Sequence, residues 1–491
     1  MASICFYLHV HQPIRLKRFT FFDIGKDIDY FDKERNKLYL ERIIEKSYLP
    51  TNKIILELIH KTDGRFKISF SITGTLLEQL EEYPHVIESF EKIIKTGCAE
   101  LVGETYYHSL ASIYSLKEFV AQIKLHEKKL KEIFGKKPKI FRNTELVYQN
   151  QIGKIVESLG YKAILAEGAD KILEWRSPCF LYKAKDANII LLLKHYRLSD
   201  DIAFRFSNSS WSEWPLTPDK YISWVSQVQG DIVNIFMDYE TFGEHQWKES
   251  GIFEFLEEFP IEALKRGIDF VLPSEAIKKF KPVADLDFPN YVSWADTERD
   301  LTAWIGNKMQ QFALNELYSL EQAILATKDR NIIDAWRKLQ TADHFYYMCT
   351  KWFADGDVHK YFNPYDSPYE AFIIFMNIIN DIKQRLRGEA EMKKEEALRI
   401  LSDFSDIFWC HDGKVFKNLY ELRDGLKNMS NETYSYHANN EKNDFSNWVR
   451  DVIKDEKLAN DLRKVKSKEE ASQIVENRIK ELEKKIRRSI L

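Results

Sequence analysis

The chain has 491 residues, 44% of them apolar and 30% charged, with a formal net charge of −4. That is enough length for two or three domains with full hydrophobic cores. The slight acidic excess excludes a general electrostatic attraction to nucleic acid or to an anionic membrane. No apolar run approaches the roughly 18–20 residues of a membrane span. "MASICFYLHVHQP" has no basic segment and no small-residue cleavage site, so no signal peptide is expected. The five cysteines (Cys5, Cys98, Cys179, Cys349 and Cys410) are scattered, odd in number and without a CxxC pair. Reduced thiols in a cytoplasm are the simplest account.

In chain order, the first 280 residues alternate short β-branched or aromatic runs with longer helical stretches. The predicted strands are "ICFYLHV", "FKISFSI", "AELVGE", "KIFRNTE", "YKAILAEG", "NIILLLKHY", "IVNIFMDYE" and "IDFVLPSE". Several are apolar almost throughout, as parallel strands covered on both faces tend to be. "SLKEFVAQIKLHEKKLKEIFG" predicts a helix with Phe119, Val120, Ile123 and Leu130 on one face and Gly135 just past its end. "PCFLYKAKDANIILLLKH" reads as a hairpin, which leaves seven regular units for a barrel. After about residue 285 the strand signals stop and helical periodicity takes over. From about 415 a small helical module follows, with Leu419, Leu422, Leu426, Trp448, Val449, Val452, Ile453, Leu458 and Leu462 as its apolar positions. The Lys- and Glu-rich last twenty residues predict an exposed helix.

Most predicted strands end on a polar, reactive side chain: His9 and His11, Glu100 and Glu104, Glu145, Glu167, His195 and Arg197, Asp238 and Glu240, and Ser274 with Glu275. In a parallel α/β barrel the C-terminal strand ends meet on one face, where active sites form. His9 and His11 share one side of a strand. They suit a metal, a polar substrate, or a merely structural pair. Glu145 and Asp238 converge from different strands, as glycoside hydrolysis requires of its two carboxyl groups. Glu240, two residues past Asp238, can repel its charge or bind sugar hydroxyls. In "LQTADHFYYM", Asp343 interrupts an apolar helix and can hold hydroxyls if that helix covers the barrel mouth. "SNSSWSEWP" offers Trp211 and Trp214 as stacking faces or packing anchors.

Five segments in order, "HVHQP", "GCAELVGETYY", "FRNTEL", "MDYETFGEH" and "LQTADHFYYM", resemble the characteristic segments of glycoside hydrolase family 57, with its α-amylase-like members nearest. The resemblance covers roughly residues 1–390. It implies an α/β fold: an incomplete (β/α)7 TIM-like barrel over 1–285, an all-α helical domain over 286–395 that completes the active site, and a helical accessory module and charged tail over 396–491. It implies Glu145 as nucleophile and Asp238 as general acid/base. His9, His11, Glu100, Glu240, His245 and Asp343 match substrate-binding positions. It implies retention on α-1,4-glucans (starch, glycogen or maltooligosaccharide), with no catalytic metal and no cofactor. Two departures favour the amylase-like branch: Arg142 stands where some transferase and branching members carry Trp, and His245 where some show Trp.

Hydrolysis, 4-α-glucan transfer and branching remain open on one site. So does a homo-oligomeric assembly. A metal-dependent amidohydrolase or deacetylase would use His9, His11, His195 and Asp238 as ligands. A non-catalytic glucan-binding protein would need neither carboxylate, yet both are present.

Overall fold

The computed structural model describes residues 1–26, 28–351 and 362–488. Residues 352–361 and 489–491 of the expected helical segments lie outside the described residues. The chain divides into two compact units, Met1–Asn380 and Asp381–Leu491. Among the described residues, no helix is long and apolar enough to cross a membrane.

The first unit is built on seven parallel strands: β1 (Ser3–Val10), β2 (Ile68–Ile72), β3 (Ala99–Leu101), β4 (Ile140–Arg142), β5 (Ala163–Glu167), β7 (Ile190–Lys194) and β8 (Ile232–Asp238). Their order is β3-β2-β1-β8-β7-β5-β4. The ring closes where Gly103, just past β3, pairs in parallel with Phe141 of β4. A side chain does not fit there, because a Cβ on Gly103 would lie 2.5 Å from the Tyr161 hydroxyl. The short strand β6 (Tyr182–Ala184) pairs antiparallel with β7, the hairpin read from the sequence. The eighth expected strand, "IDFVLPSE", makes only a single bridge, Phe270 to Ile4. Pro273 then starts a helix, Pro273–Lys279, which cuts the run short.

Strand burial explains the apolar runs. All eight residues of β1 are buried. Ile4, Phe6, Leu8 and Val10 pack outward on the helices. Cys5 and Tyr7 point into the barrel with Phe236 of β8. Helices such as Leu49–Lys61, Pro84–Lys95 and Leu116–Phe134 cover the outside. The last ends at Gly135 with φ of 65°, a left-handed cap that favours glycine.

Residues 302–346 add five helices to the same unit. Thr341 bridges to Ser109, and the Ala342 N–H donates to the His108 carbonyl at 2.8 Å. That junction brings Asp343 to the strand ends.

The second unit is helical around a two-stranded ribbon, Phe408–Trp409 with Val415–Phe416. Its core holds Leu419, Leu422, Leu426, Trp448, Val449, Ile453, Leu458 and Leu462. The terminal helix Lys468–Arg488 is not the exposed rod its composition suggests. It buries Ala471, Val475, Ile479 and Leu482 in the same core. Spacings of four and three put these few apolar residues on one stripe, and the Lys and Glu residues fill the rest.

Candidate active site

A cavity of about 830 Å³ opens at the C-terminal ends of the barrel strands. Its position follows from the period of two along each strand. Tyr7 and Phe236 point inward and their rings lie 5.5 Å apart. One step up, the register pairs His9 with Asp238. His9 Nδ1 lies 3.5 Å from Asp238 Oδ1. The Asp238 side chain is 39% exposed, so it faces the cavity. Burial would raise its pKa, but the contact with His9 outweighs burial and holds it below the usual carboxylate value.

Glu145 arrives differently. β4 ends at Arg142, and Thr144–Leu146 form a tight turn. Glu145 has φ of 56° and Leu146 of 52°, left-handed values for two non-glycine residues. This backbone costs about 1–2 kcal/mol per residue, and the turn is pinned from outside. Asn143 Nδ2 donates to the Val147 carbonyl at 2.9 Å, and the Thr144 and Thr105 hydroxyls lie 2.6 Å apart. Asn143 and Thr144 therefore serve the scaffold. The Trp294 N–H donates to the Glu145 carbonyl, and the Trp294 indole N–H donates to Glu145 Oε2 at 2.6 Å. His108 Nε2 lies 2.7 Å from Glu145 Oε1. Burial would raise the Glu145 pKa, but His108 and Arg142 outweigh it and keep the group ionised.

The other expected residues divide. His11 lines the cavity, with Nδ1 at 2.9 Å from the Thr73 hydroxyl and Nε2 at 3.1 Å from Asp343 Oδ2. Burial lowers its pKa to about 4. Asp343 is held well below its ordinary value: burial works against this, and His11 prevails. His245 lines the cavity, its ring 5.3 Å from that of Phe362. Gly243 makes this loop possible, with φ of 100° and no room for a Cβ against the Lys46 carbonyl.

Glu100 is not brought to the cavity. It pairs in register with Ser69, two residues below the Ser71 that faces His9. Its Oε2 accepts from the Ser274 N–H at 2.8 Å. The next inward position is Val102, packed in the barrel interior, and Glu104 lies two residues beyond it, fully buried. His195 caps the helix Tyr196–Ala203. Trp211 packs on Trp224, with ring centres 6.1 Å apart. Neither Trp211 nor Trp214 is among the described residues lining the cavity.

Glu240 lines the cavity and accepts from the Tyr48 hydroxyl. Burial and then the Asp238 charge push its pKa up to about 8. A carboxyl whose folded pKa lies above its ordinary 4.5 contributes stability in full below pH 4.5, lost as pH rises through 8. Glu240→Gln keeps an acceptor for Tyr48 but cannot ionise. Its melting temperature at pH 9 is therefore expected to exceed that of the parent, with no gain at pH 5. Calorimetry at the two pH values checks this.

Several residues were not legible as site residues. His108 sits two residues past "GETY", and Trp294 in the unremarkable "YVSWADTERD". One wall of the cavity is charged. Lys194 Nζ lies 3.0 Å from Asp200, and Arg299 reaches Asp200 at 3.1 Å and the buried Glu167 at 3.4 Å. Lys194 Nζ lies 5.2 Å from the Trp294 ring centre and the Arg142 guanidinium carbon 4.9 Å from it. Cation–π contacts of this kind fix the indole that holds Glu145.

Among the described residues, two groups have the spacing of metal ligands: His9, Glu104 and His108, and His11, His108 and Asp343. The first encloses a cation already. Arg142 Nη1 lies 3.3 Å from His9 Nε2 and 3.9 Å from Glu104 Oε2. An arginine does not give up its charge, so a metal there would meet a fixed positive neighbour. In the second group His108 Nε2 is turned to Glu145. His9, His11, His195 and Asp238 do not form a common ligand set among the described residues. This geometry does not fit the metal-dependent reading.

Comparison with known proteins agrees with the barrel. The fold is similar to the crystal structure of a GH57 branching enzyme from Thermococcus kodakaraensis, with a TM-score of 0.57 and 14% identity over 80% of this chain and 92% of that one. It is also similar to the α-amylase AmyC from Thermotoga maritima, with a TM-score of 0.51 and 13% identity over 79% of this chain and 94% of that one. A Methanocaldococcus jannaschii protein, named "Putative alpha-amylase", is 43% identical across 87% of this chain and 98% of its own length. The barrel and the match to this relative define a glycoside-cleaving enzyme. Residues 5–289 match Glycosyl hydrolase family 57, and the chain belongs to that family.

Proposed function

We propose that this enzyme cleaves α-1,4-glucans with retention, through a covalent glycosyl-enzyme. Glu145 attacks the anomeric carbon, and Asp238 protonates the departing glycosidic oxygen. Water, deprotonated by the same Asp238, then releases the sugar. The observation that carries this reading is the double grip on Glu145. A buried imidazole and an indole N–H keep it ionised and aimed at the cavity. An anionic carboxylate is what a nucleophile must be.

Asp238 must carry a proton for the first step. In the open cavity His9 favours its ionised form. A bound sugar would exclude water from its exposed edge and raise its pKa. His11, His245, Glu240 and Asp343 line the same cavity and suit sugar hydroxyls. The relative named as an α-amylase favours hydrolysis. Glucan transfer is the second reading. Phe204, 62% exposed at the cavity, offers a stacking face for an acceptor sugar in place of water. The five scattered cysteines, with no CxxC pair, suit a reducing compartment such as the cytoplasm.

Proton NMR of the products from a maltooligosaccharide tests the reading. New reducing ends are expected to appear first as the α-anomer. Initial release of the β-anomer would contradict a double displacement.

A further inference from the structure

Glu104 is not among the described residues lining the cavity, yet two imidazoles link it to both carboxylates. Its side chain is fully buried. Its Oε2 lies 3.3 Å from His9 Nε2 and 3.6 Å from His108 Nδ1. The other nitrogen of each ring faces a different carboxylate: His9 Nδ1 faces Asp238 at 3.5 Å, and His108 Nε2 faces Glu145 at 2.7 Å. The two imidazoles lie nearly parallel, 4.9 Å apart. The backbone is fixed as well. The Glu104 N–H donates to His126 Nδ1 at 3.1 Å, and His126 Nε2 donates to the Ile72 carbonyl at 2.8 Å.

Resting on the roles proposed above for Glu145 and Asp238, we infer that Glu104 is a positioning residue that couples them, one buried carboxylate holding the two imidazoles that hold the two reacting groups. The reason lies in the charge balance through the cycle. In the free enzyme the His108 cation has two anions, Glu104 and Glu145. When Glu145 becomes a glycosyl ester its charge is consumed. Glu104 then remains as the counter-ion of a buried cation that would otherwise be stranded. The groups facing His108 are Glu104 on its own segment, Arg142 at the end of β4 and Glu145 beyond it, His9 and His11 of the β1 end, and Asp343 from the helical part. Burial and Arg142 oppose its charge. Glu104 and Glu145 outweigh them and raise its pKa to about 9.

Glu104→Gln keeps the shape and removes the charge. The expected result is a 10- to 100-fold loss of kcat on a maltooligosaccharide, on the scale of one misplaced acid–base group, with KM within about threefold. The bell of kcat against pH should narrow from its acidic side, because Glu145 loses a protonated partner and its pKa rises. Glu104→Asp, which restores the charge, should widen the bell again. Nitrogen NMR of the parent enzyme gives a second readout, with His108 doubly protonated at pH 7. Full activity in Glu104→Gln, a loss with an unchanged bell, or a neutral His108 at pH 7 would each overturn the inference. If Glu104→Gln does not fold, the NMR result decides. Should Glu145→Gln and Asp238→Asn be inactive while Glu104→Gln leaves the bell unchanged, this inference alone fails. Should those two variants keep full activity, the assignment of the reacting carboxylates fails instead.

Discussion

Replacing Glu145 with Gln is expected to lower kcat on a maltooligosaccharide by at least about 10⁴-fold, the scale seen when a nucleophile is removed. The amide can still accept from the Trp294 indole, so the fold and KM should change little. What is lost is the anion. The loss should not depend on pH, because no titration restores a carboxylate. A Glu145→Gly variant leaves space for a small external anion. With azide and an activated α-glucoside it is expected to yield the β-glycosyl azide, since azide would attack from the side that Glu145 vacates. Gas or liquid chromatography of the azide product distinguishes the two anomers. Formation of the α-azide instead would remove Glu145 from the role of nucleophile.

Asp238→Asn is expected to cost about 10² to 10⁴-fold on natural glucans, the usual worth of a positioned acid–base group. With an aryl glucoside the leaving group needs little protonation, so the first step should be spared and the second should limit. Azide should then rescue turnover and give the α-glycosyl azide, the opposite anomer to that from Glu145→Gly. The pH profile carries a further expectation. The alkaline limb of kcat/KM reports the open site, where the His9 contact holds the Asp238 pKa low. The limb of kcat reports the occupied site, where water has left the carboxyl. The limb of kcat should therefore lie at the higher pH, and both should vanish in Asp238→Asn. An Asp238→Asn enzyme with unchanged limbs would assign the acid to another residue, Glu240 first.

The strand ends were legible in the sequence because a period of two and an apolar run are local properties. "ICFYLHVH" declares an inward series that ends at His9 and His11, and "IVNIFMD" one that ends at Asp238. The hairpin at residues 178–195 was legible for the same reason. Glu145 was legible as a motif but not as a geometry. Nothing in "FRNTEL" announces a left-handed turn at Glu145 and Leu146. Glu100 and Glu104 lie in one short run, and only the register shows that Glu100 faces Ser274 while Glu104 sits under the site. Trp294 reaches Glu145 across 149 residues of chain, through a bridge between Tyr148 and Val292. Contacts of that separation leave no local pattern. Composition misled at the C-terminal helix, where four spaced apolar residues outweigh a surface of Lys and Glu.

Trapping the glycosyl-enzyme tests the central claim most directly. The enzyme would be treated with a fluorinated α-glucosyl fluoride that forms the intermediate quickly and releases it slowly, then digested and sequenced by mass spectrometry. The account predicts one added sugar, carried by the peptide that contains Glu145 and lost in Glu145→Gln. A sugar ester on any other carboxylate, or active enzyme that never accumulates an adduct, would contradict it.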